Sequence, residues 1–282
     1  MGHISISNLS FQYSKNTMPT LRDINLEIGD GDFILLSGPT GCGKTTLCRC
    51  ITGLIPNFHT GTMEGQVIVD GLNTLQHPVY EIAKKVGMVF QNPENQLVAM
   101  NVERELGFAL ENLGVPAEKI REKIEEIVDE FQLNHLRMKA PYEISGGEQQ
   151  RVAIASILIL DPGIIILDEP TSNLDPAAAE KMMFFLKELN STYKKTIILI
   201  EHRLELVVPL INRMIVLDQG ELVLDGPPEE VLLDEKIQQI NIGLPKIVQL
   251  YKVIKEAGVN FEKIPLTSAE FAEALQQIKG GR

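Results

Sequence analysis

The sequence has no long cluster of lysine and arginine. Its 26 basic residues are outnumbered by 38 acidic ones, a formal net charge of -12, which argues against a broad nucleic-acid footprint. Cysteine is scarce as well. The three present, Cys42, Cys48 and Cys50, fall in one short segment, and none of the five histidines stands at zinc-ligand spacing from them. That distribution argues against a disulfide framework or a zinc site and suits reduced thiols in a cytosolic protein. Long apolar runs are also missing: the longest, Val152 to Leu160, is far too short to cross a bilayer. No charged-then-apolar signal segment opens the chain, and Ile6 stands where a myristoylation signal needs Ser or Thr. A soluble protein is expected, with any membrane association supplied by a partner. Internal repeats and low-complexity segments are absent.

What is there suits a core. With 282 residues, 44% of them hydrophobic, the chain can form one large α/β domain with an appendage, or two domains. Residues 3–9 and 23–28 alternate apolar and polar as half-buried strands do, with a turn expected over Tyr13 to Pro19. Asp32 to Ser37 is a short, continuously apolar run stopping at Gly38, the pattern of a strand buried on both faces. A helix is predicted to begin inside GCGKTTLCRCITGL, and Gly65 to Gly71 and Val86 to Phe90 read as further strands.

From about Val102 to Leu160 the spacing is helical throughout, with Ile120, Ile124, Ile127, Val128 and Phe131 on one stripe and acidic residues opposite. Strand character returns at Ile164 to Leu167, Thr196 to Ile200, Arg213 to Asp218 and Glu221 to Asp225. After Gly226-Pro227-Pro228 the pattern is helical, with candidate helices at 231–240, 245–257 and 268–278. The order describes a parallel-sheet α/β domain with a helical insertion and a small helical appendage.

Two segments carry chemistry. Gly38-Pro39-Thr40-Gly41-Cys42-Gly43-Lys44-Thr45 matches G-x-x-x-x-G-K-[ST] between a predicted strand and helix, with Thr46 following. Glycines let backbone N–H groups wrap phosphates at a helix N-terminus, Lys44 can reach the β and γ phosphates, and Thr45 can ligate Mg²⁺. The plainer reading is a Gly-rich turn that caps a helix. The strand Ile164 to Leu167 ends in Asp168-Glu169, which can place Asp168 on Mg²⁺ and Glu169 beside an attacking water. Two solvated charges at a strand end are the plainer alternative. Cys42 occupies a variable loop position, so a small side chain without catalytic duty is expected there, although a bulky modification of its thiol should block nucleotide binding.

Ile144-Ser145-Gly146-Gly147-Glu148-Gln149, ahead of that acidic pair, resembles the signature motif of the ATP-binding-cassette (ABC) ATPases. The resemblance covers approximately residues 3–230. It implies a P-loop (RecA-like) ABC nucleotide-binding domain with an N-terminal antiparallel β-subdomain, a helical subdomain at about 94–160 and a helical C-terminal extension at 231–282. It further implies ATP and Mg²⁺ as ligands, Gln91 near the metal and the reacting water, and a D-loop at Ser172-Asn173-Leu174-Asp175. His202 resembles the switch histidine and Tyr13 the aromatic that stacks on adenine, ahead of Phe11, which is in phase with the buried side of its strand. In such a family Lys44, Gln91, Glu169 and His202 act on the chain's own ATP. Ser145, Gly146, Gly147 and Glu148 would contact ATP held by a partner cassette, making a homodimer or heterodimer.

The departures are informative. Glu148 stands where glutamine is usual, and Glu201-His202-Arg203 replaces the common Thr-His-Asp. With Phe90-Gln91-Asn92-Pro93-Glu94-Asn95-Gln96 and the C-terminal GLPKIVQLYKVIKEAGV, this is similar to the energy-coupling-factor (ECF) subgroup, the ATPases of vitamin and of cobalt or nickel importers. The resemblance implies a peripheral position on the cytoplasmic face of the cell membrane, a transmembrane coupling subunit, a substrate-binding membrane subunit, and no nucleic acid. An ATPase of another ABC importer or exporter, a nucleic-acid-associated ABC ATPase, and a regulatory ATP-binding module are the alternatives. About a hundred residues separate Lys44 from Ser145 without a long heptad pattern, which disfavours the chromosome-maintenance type.

Overall fold

A computed structural model describes residues 2–259, 261 and 263–280. Strands β1 (Ile4–Tyr13) and β2 (Leu21–Ile28) open the chain; β2 alternates buried and exposed positions from Ile24 on, and β1 alternates buried and half-buried ones with a slip at Ser7-Asn8. They pair antiparallel, and β1 pairs on its other side with β4 (Gly61–Val69), which continues to the short β5 (Leu72–Asn73). The result is a four-stranded antiparallel sheet of order β2-β1-β4-β5. The strand read from 65 begins at Gly61, because Gly61 to Glu64 pair with Tyr13 to Ser10 of β1. That half of β4 has no apolar alternation for a sequence reading to detect.

Between β2 and β4 lie β3 (Phe33–Ser37), α1 (Lys44–Ile51) and the single turn α2 (Leu54–Asn57). After β5 come α3 (Val79–Ile82), β6 (Val86–Val89), α4 (Val102–Asn112), α5 (Ala117–Glu130) and α6 (Gly146–Leu158). The expectation of helical structure throughout 102–160 is corrected by two breaks. Gly114, at φ 69°, and Pro116 separate α4 from α5. Gln132, at φ 54°, then ends the helical path, and only two short 3-10 turns, Asn134–Leu136 and Pro141–Glu143, precede α6. A left-handed residue stops helical propagation and proline removes a helix donor.

The chain then forms β7 (Ile164–Asp168), α7 (Pro176–Ser191), β8 (Thr196–Ile200), α8 (Leu204–Val207), β9 (Arg213–Asp218) and β10 (Glu221–Gly226). The second sheet runs β10-β9-β3-β8-β7-β6, parallel except for the β9–β10 hairpin. Residues of its central strands face alternate sides. Phe33, Leu35, Ile165, Leu167, Ile197 and Leu199 join the core formed with α4 to α7. Ile34, Leu36, Ile164, Ile166, Ile198 and Ile200 instead pack against α1 and the antiparallel sheet. Burial on both faces is why these strands read as unbroken apolar runs.

Four C-terminal helices follow: α9 (Pro228–Leu233), α10 (Glu235–Gln239), α11 (Lys246–Glu256) and α12 (Ser268–Gly280). Val231, Leu232, Ile237 and Val248 join the same core as α4 to α7, so this extension is fastened to the domain rather than tethered beside it. Among the described residues, no helix is long and apolar enough to cross a membrane.

Candidate functional site

The parallel register brings four separate sequence segments to one sheet end. Gly38 follows β3, His202 follows β8, Asp168-Glu169 close β7, and Gln91 follows β6, on neighbouring strands in the order β3-β8-β7-β6. Ligands of open α/β sheets bind at the carboxyl ends of the strands.

The loop after β3 has glycine where no side chain fits. A Cβ on Gly38 would lie 2.1 Å from the Leu217 carbonyl oxygen, and its φ is 144°. Gly43, at φ 113°, is the N-cap of α1, and a Cβ there would lie 2.8 Å from Leu21 Cδ2. The chain can therefore turn tightly into α1, whose N-terminal amides and dipole favour an anion.

Lys44 is buried, and its Nζ donates to the carbonyls of Gly38 at 2.8 Å and Pro39 at 2.9 Å. The ammonium is thereby held along the loop. Cys42 is also buried, with its Sγ 3.9 Å from Lys44 Nζ, and burial raises the thiol pKa. A buried thiol with a raised pKa reacts slowly with alkylating reagents, while its place inside the loop keeps the expectation that a bulky adduct there would obstruct nucleotide binding.

Thr45 Oγ1 donates to Asp168 Oδ2 at 2.9 Å. Burial raises the Asp168 pKa, opposed by that hydrogen bond and reinforced by the neighbouring charge of Glu169. A hydroxyl and a buried carboxylate side by side are hard oxygen donors suited to Mg²⁺, which would offset the cost of ionising Asp168.

Glu169 is the meeting point of the site. Its Oε2 accepts from Gln91 Nε2 at 2.6 Å, and its Oε1 lies 3.1 Å from His202 Nε2. The residue has φ 52°, a left-handed conformation costing roughly 1–3 kcal/mol, and its N–H donates to Ile200 O at 2.9 Å. This turn swings the side chain off the axis of β7 toward Gln91 and His202.

Tyr13 closes β1 edge-on to buried Phe11, with ring centroids 4.8 Å apart, and its hydroxyl lies 3.2 Å from Thr46 Oγ1. Its ring lines a cleft with Gly41, Thr20 and Gly220. Phe11, being 1% exposed, cannot offer a face to a base.

Ser145 to Glu148 lie elsewhere. They line a cleft of 840 Å³ with Leu174, Asp175, Arg151 and Lys181. The Ser145 N–H and hydroxyl both donate to Glu148 Oε2, at 2.8 Å each, and His135 Nε2 lies 3.5 Å from Oε1. The Ser145 hydrogen bonds lower the Glu148 pKa. Glu148 thus occupies the third position of a capping box and holds the start of α6.

Asp175 caps α7, accepting from the N–H groups of Ala177 and Ala178 at 3.0 Å each. Ser172 and Asn173 fall in the turn between Glu169 and that cap, where Ser172 N–H donates to Glu169 O at 3.2 Å.

The structure adds residues that sequence reasoning missed. Ile240 to Gly243, between α10 and α11, line a 340 Å³ cleft with Gly38, Pro39, Thr40 and His202. No local motif marks them; only the folding back of the extension brings them there. Glu201 is buried against Thr171, whose hydroxyl it accepts, and Arg203 Nη2 donates to Leu174 O at 3.2 Å. Their unusual place around His202 was the available signal.

Comparison with known proteins places the whole chain among recognised relatives. A family model described as ABC transporter matches residues 21–172. A putative ABC transporter ATP-binding protein of Pyrococcus abyssi is 40% identical over 280 residues, covering 99% of this chain and 100% of the relative. The energy-coupling factor transporter ATP-binding protein EcfA1 of Ligilactobacillus salivarius is 37% identical over 277 residues, covering 98% and 96%. Among solved structures, cbiO1 of Clostridium perfringens, part of the ABC transporter complex cbiONQ, matches with TM-score 0.72 and 30% identity over 88% of this chain and 98% of that one. A dimeric ATP-binding cassette in a post-hydrolysis state, bound to ADP and Pi, matches with TM-score 0.69 and 30% identity over 80% and 98%.

Proposed function

The chain belongs to the ABC transporter family, whose ATP-binding cassettes are ATPases that drive transport, and on that premise we propose that it is the ATPase subunit of an ECF-type importer of a vitamin or of cobalt or nickel. The observation that carries the mechanism is the separation of two half-sites within one chain. None of Gly38 to Thr46, Gln91, Asp168, Glu169 and His202, which build the mouth, lines the cleft of Ser145 to Glu148. A head-to-tail pair of cassettes unites them.

In this reading the loop from Gly38 to Thr46 wraps the phosphates of ATP, Lys44 neutralises their charge, and Tyr13 stacks on the base. Thr45, Asp168 and Gln91 are the residues that would hold Mg²⁺, which would offset the charge of the phosphates. Glu169 polarises the attacking water and accepts its proton, with Gln91 and His202 fixing the carboxylate. Ser145, Gly146 and Gly147 present the N-terminus of α6 to the γ-phosphate of ATP on the partner, Glu148 keeps that turn wound, and the Ser172 to Asp175 loop crosses between subunits. Hydrolysis removes the ligand that both subunits share, so closure is reversed.

Residues 1–230 form the cassette, 94–160 its helical subdomain, and 231–282 an extension that holds the ATPase pair together. A groove lined by Met88, Phe90, Gln96, Phe108 and Ile157 lies beside Gln91, and Val98 and Met100 nearby are 68% and 78% exposed. An apolar surface of this kind supports docking of a membrane coupling subunit on the cytoplasmic side. Similarity to EcfA1 and to cbiO1, together with Glu201-His202-Arg203, supports the ECF type. Purification of the intact membrane complex tests the assignment: membrane coupling and substrate-binding subunits should accompany the ATPase, and recovery of nucleic acid without them would reject it.

A further inference from the structure

We infer that Arg203 is a positioning residue that couples the chain's own nucleotide mouth to the signature half-site it offers a partner. The inference rests on the shared-site reading above.

Four consecutive residues at the end of β8 grip the segment from Glu169 to Leu174. The Ile200 carbonyl accepts from Glu169 N–H, and the Glu201 carboxylate accepts from the Thr171 hydroxyl. His202 Nε2 meets the Glu169 carboxylate at 3.1 Å, and Arg203 Nη2 donates to the Leu174 carbonyl at 3.2 Å. Leu174 N–H donates to Thr171 O at 3.1 Å, so the turn between these anchors is closed on itself. Asp175 then fastens the far end to α7.

The Leu174 side chain carries the connection onward. It is 7% exposed, and a Cβ on Gly147 would lie 3.2 Å from its Cδ2, so the leucine bears directly on the first turn of α6. A continuous strut therefore runs from His202 and Glu169, through Arg203 and the Leu174 backbone, to Gly147. At one end are groups at the chain's own nucleotide. At the other is the turn that receives the partner's γ-phosphate. Any displacement of the switch by bound nucleotide must move Leu174 or break the Arg203 contact, and close packing transmits such shifts.

Arg203→Met keeps the aliphatic stem and removes the donors, whereas Arg203→Lys keeps a donor. Three quantities are read: affinity of the isolated subunit for ATP, ATP-driven dimer closure in the Glu169→Gln background, and the Hill coefficient of ATPase activity in the assembled pair. Arg203→Met should leave isolated-subunit affinity within about twofold, weaken closure roughly tenfold, and bring the Hill coefficient toward that of independent sites, the scale of an ordinary allosteric coupling. Arg203→Lys should restore much of the closure and cooperativity.

Leu174→Ala breaks the other end of the strut and serves if Arg203→Met folds poorly. It should have the same signature, and the double variant should lose little more than either single one. Wild-type closure and cooperativity in folded Arg203→Met, or fully additive losses in the double variant, would overturn the inference. A wild-type pair that binds ATP but never closes would instead remove the shared-site reading before Arg203 is tested.

Discussion

The nucleotide mouth and the signature cleft are opposite kinds of surface. In the mouth each chemical group is already held by another: Lys44 by two carbonyls, Thr45 by Asp168, and Glu169 by Gln91 and His202. In the cleft, Ser145 is tied within its own cap to Glu148, and Arg151 and Lys181 line an 840 Å³ space beside it. In the proposed function the first surface binds and reacts, and the second receives a ligand carried by another subunit. On the proposed reading, the contrast is how one chain can contain every motif of an ATPase site and still need a second chain to complete it.

The sharpest way to separate the two surfaces is Glu169→Gln. It preserves shape while removing the carboxylate, so kcat should fall about 10²- to 10⁴-fold, with ATP and Mg²⁺ binding retained and the closed dimer accumulating. Wild-type-like steady-state turnover would break the assignment of the mouth. Ser145→Arg fills the opposite cleft. ATPase activity should fall at least about 10²-fold through misplaced closure, while equilibrium titration of the isolated chain with ATP should be unchanged. Loss of that first binding step would erase the proposed division between the surfaces.

A smaller effect comes from pH. Burial gives Asp168 a raised pKa, so the metal-free protein keeps this proton to higher pH than an exposed aspartate would. Metal binding must displace it, and affinity for Mg²⁺ in the nucleotide-loaded Glu169→Gln chain should rise with pH through that window, by up to about tenfold per pH unit. Comparison with Asp168→Asn removes the titration of ATP itself; identical pH profiles for the two proteins would contradict the role of Asp168. The signature cleft should lack this dependence, because hydrogen bonds to Ser145 lower rather than raise the Glu148 pKa.

Smallest is the stability of the caps. Glu148→Ala removes one half of a capping box and should cost about 1 kcal/mol, or roughly 2–4 °C in melting temperature. Glu201→Gln should act in the other direction. Burial raises the Glu201 pKa above that of an unfolded glutamate, so its ionisation costs stability as pH rises through the folded value. The glutamine variant should melt higher than the wild type at neutral pH and without that advantage below the ordinary carboxylate range.

The mouth was largely legible in the sequence because its chemistry is concentrated in short motifs at strand ends. Unbroken apolar runs marked β3, β7 and β8, and the end of each marked a site residue. Helix α7 was not read, although Ala179, Met182, Met183, Leu186 and Leu189 recur at helical spacing, because Ala177 and Phe184 add apolar residues outside that buried stripe and blur it. The first half of β4 was hidden for a different reason, its residues being held by pairing with β1 rather than by burial. Glu148 illustrates a subtler limit. Its departure from glutamine was read against the family pattern, while the Ser-x-x-Glu spacing that marks it as a capping-box residue was present in the sequence and passed over. Glu201 and Arg203 take their meaning from the register of β7 against β8, which aligns Asp168 with Ile200.

The most direct measurement is complementation between two inactive forms of the chain, Lys44→Ala and Ser145→Arg. One lacks a working mouth and the other a working signature cleft. Mixed pairs contain one composite site with both halves intact, so ATPase activity should return on mixing although neither form is active alone. If the mixture stays as inactive as its components, under conditions where the wild-type chain turns over and mixed pairs are shown to form, the sites are not shared and the account fails.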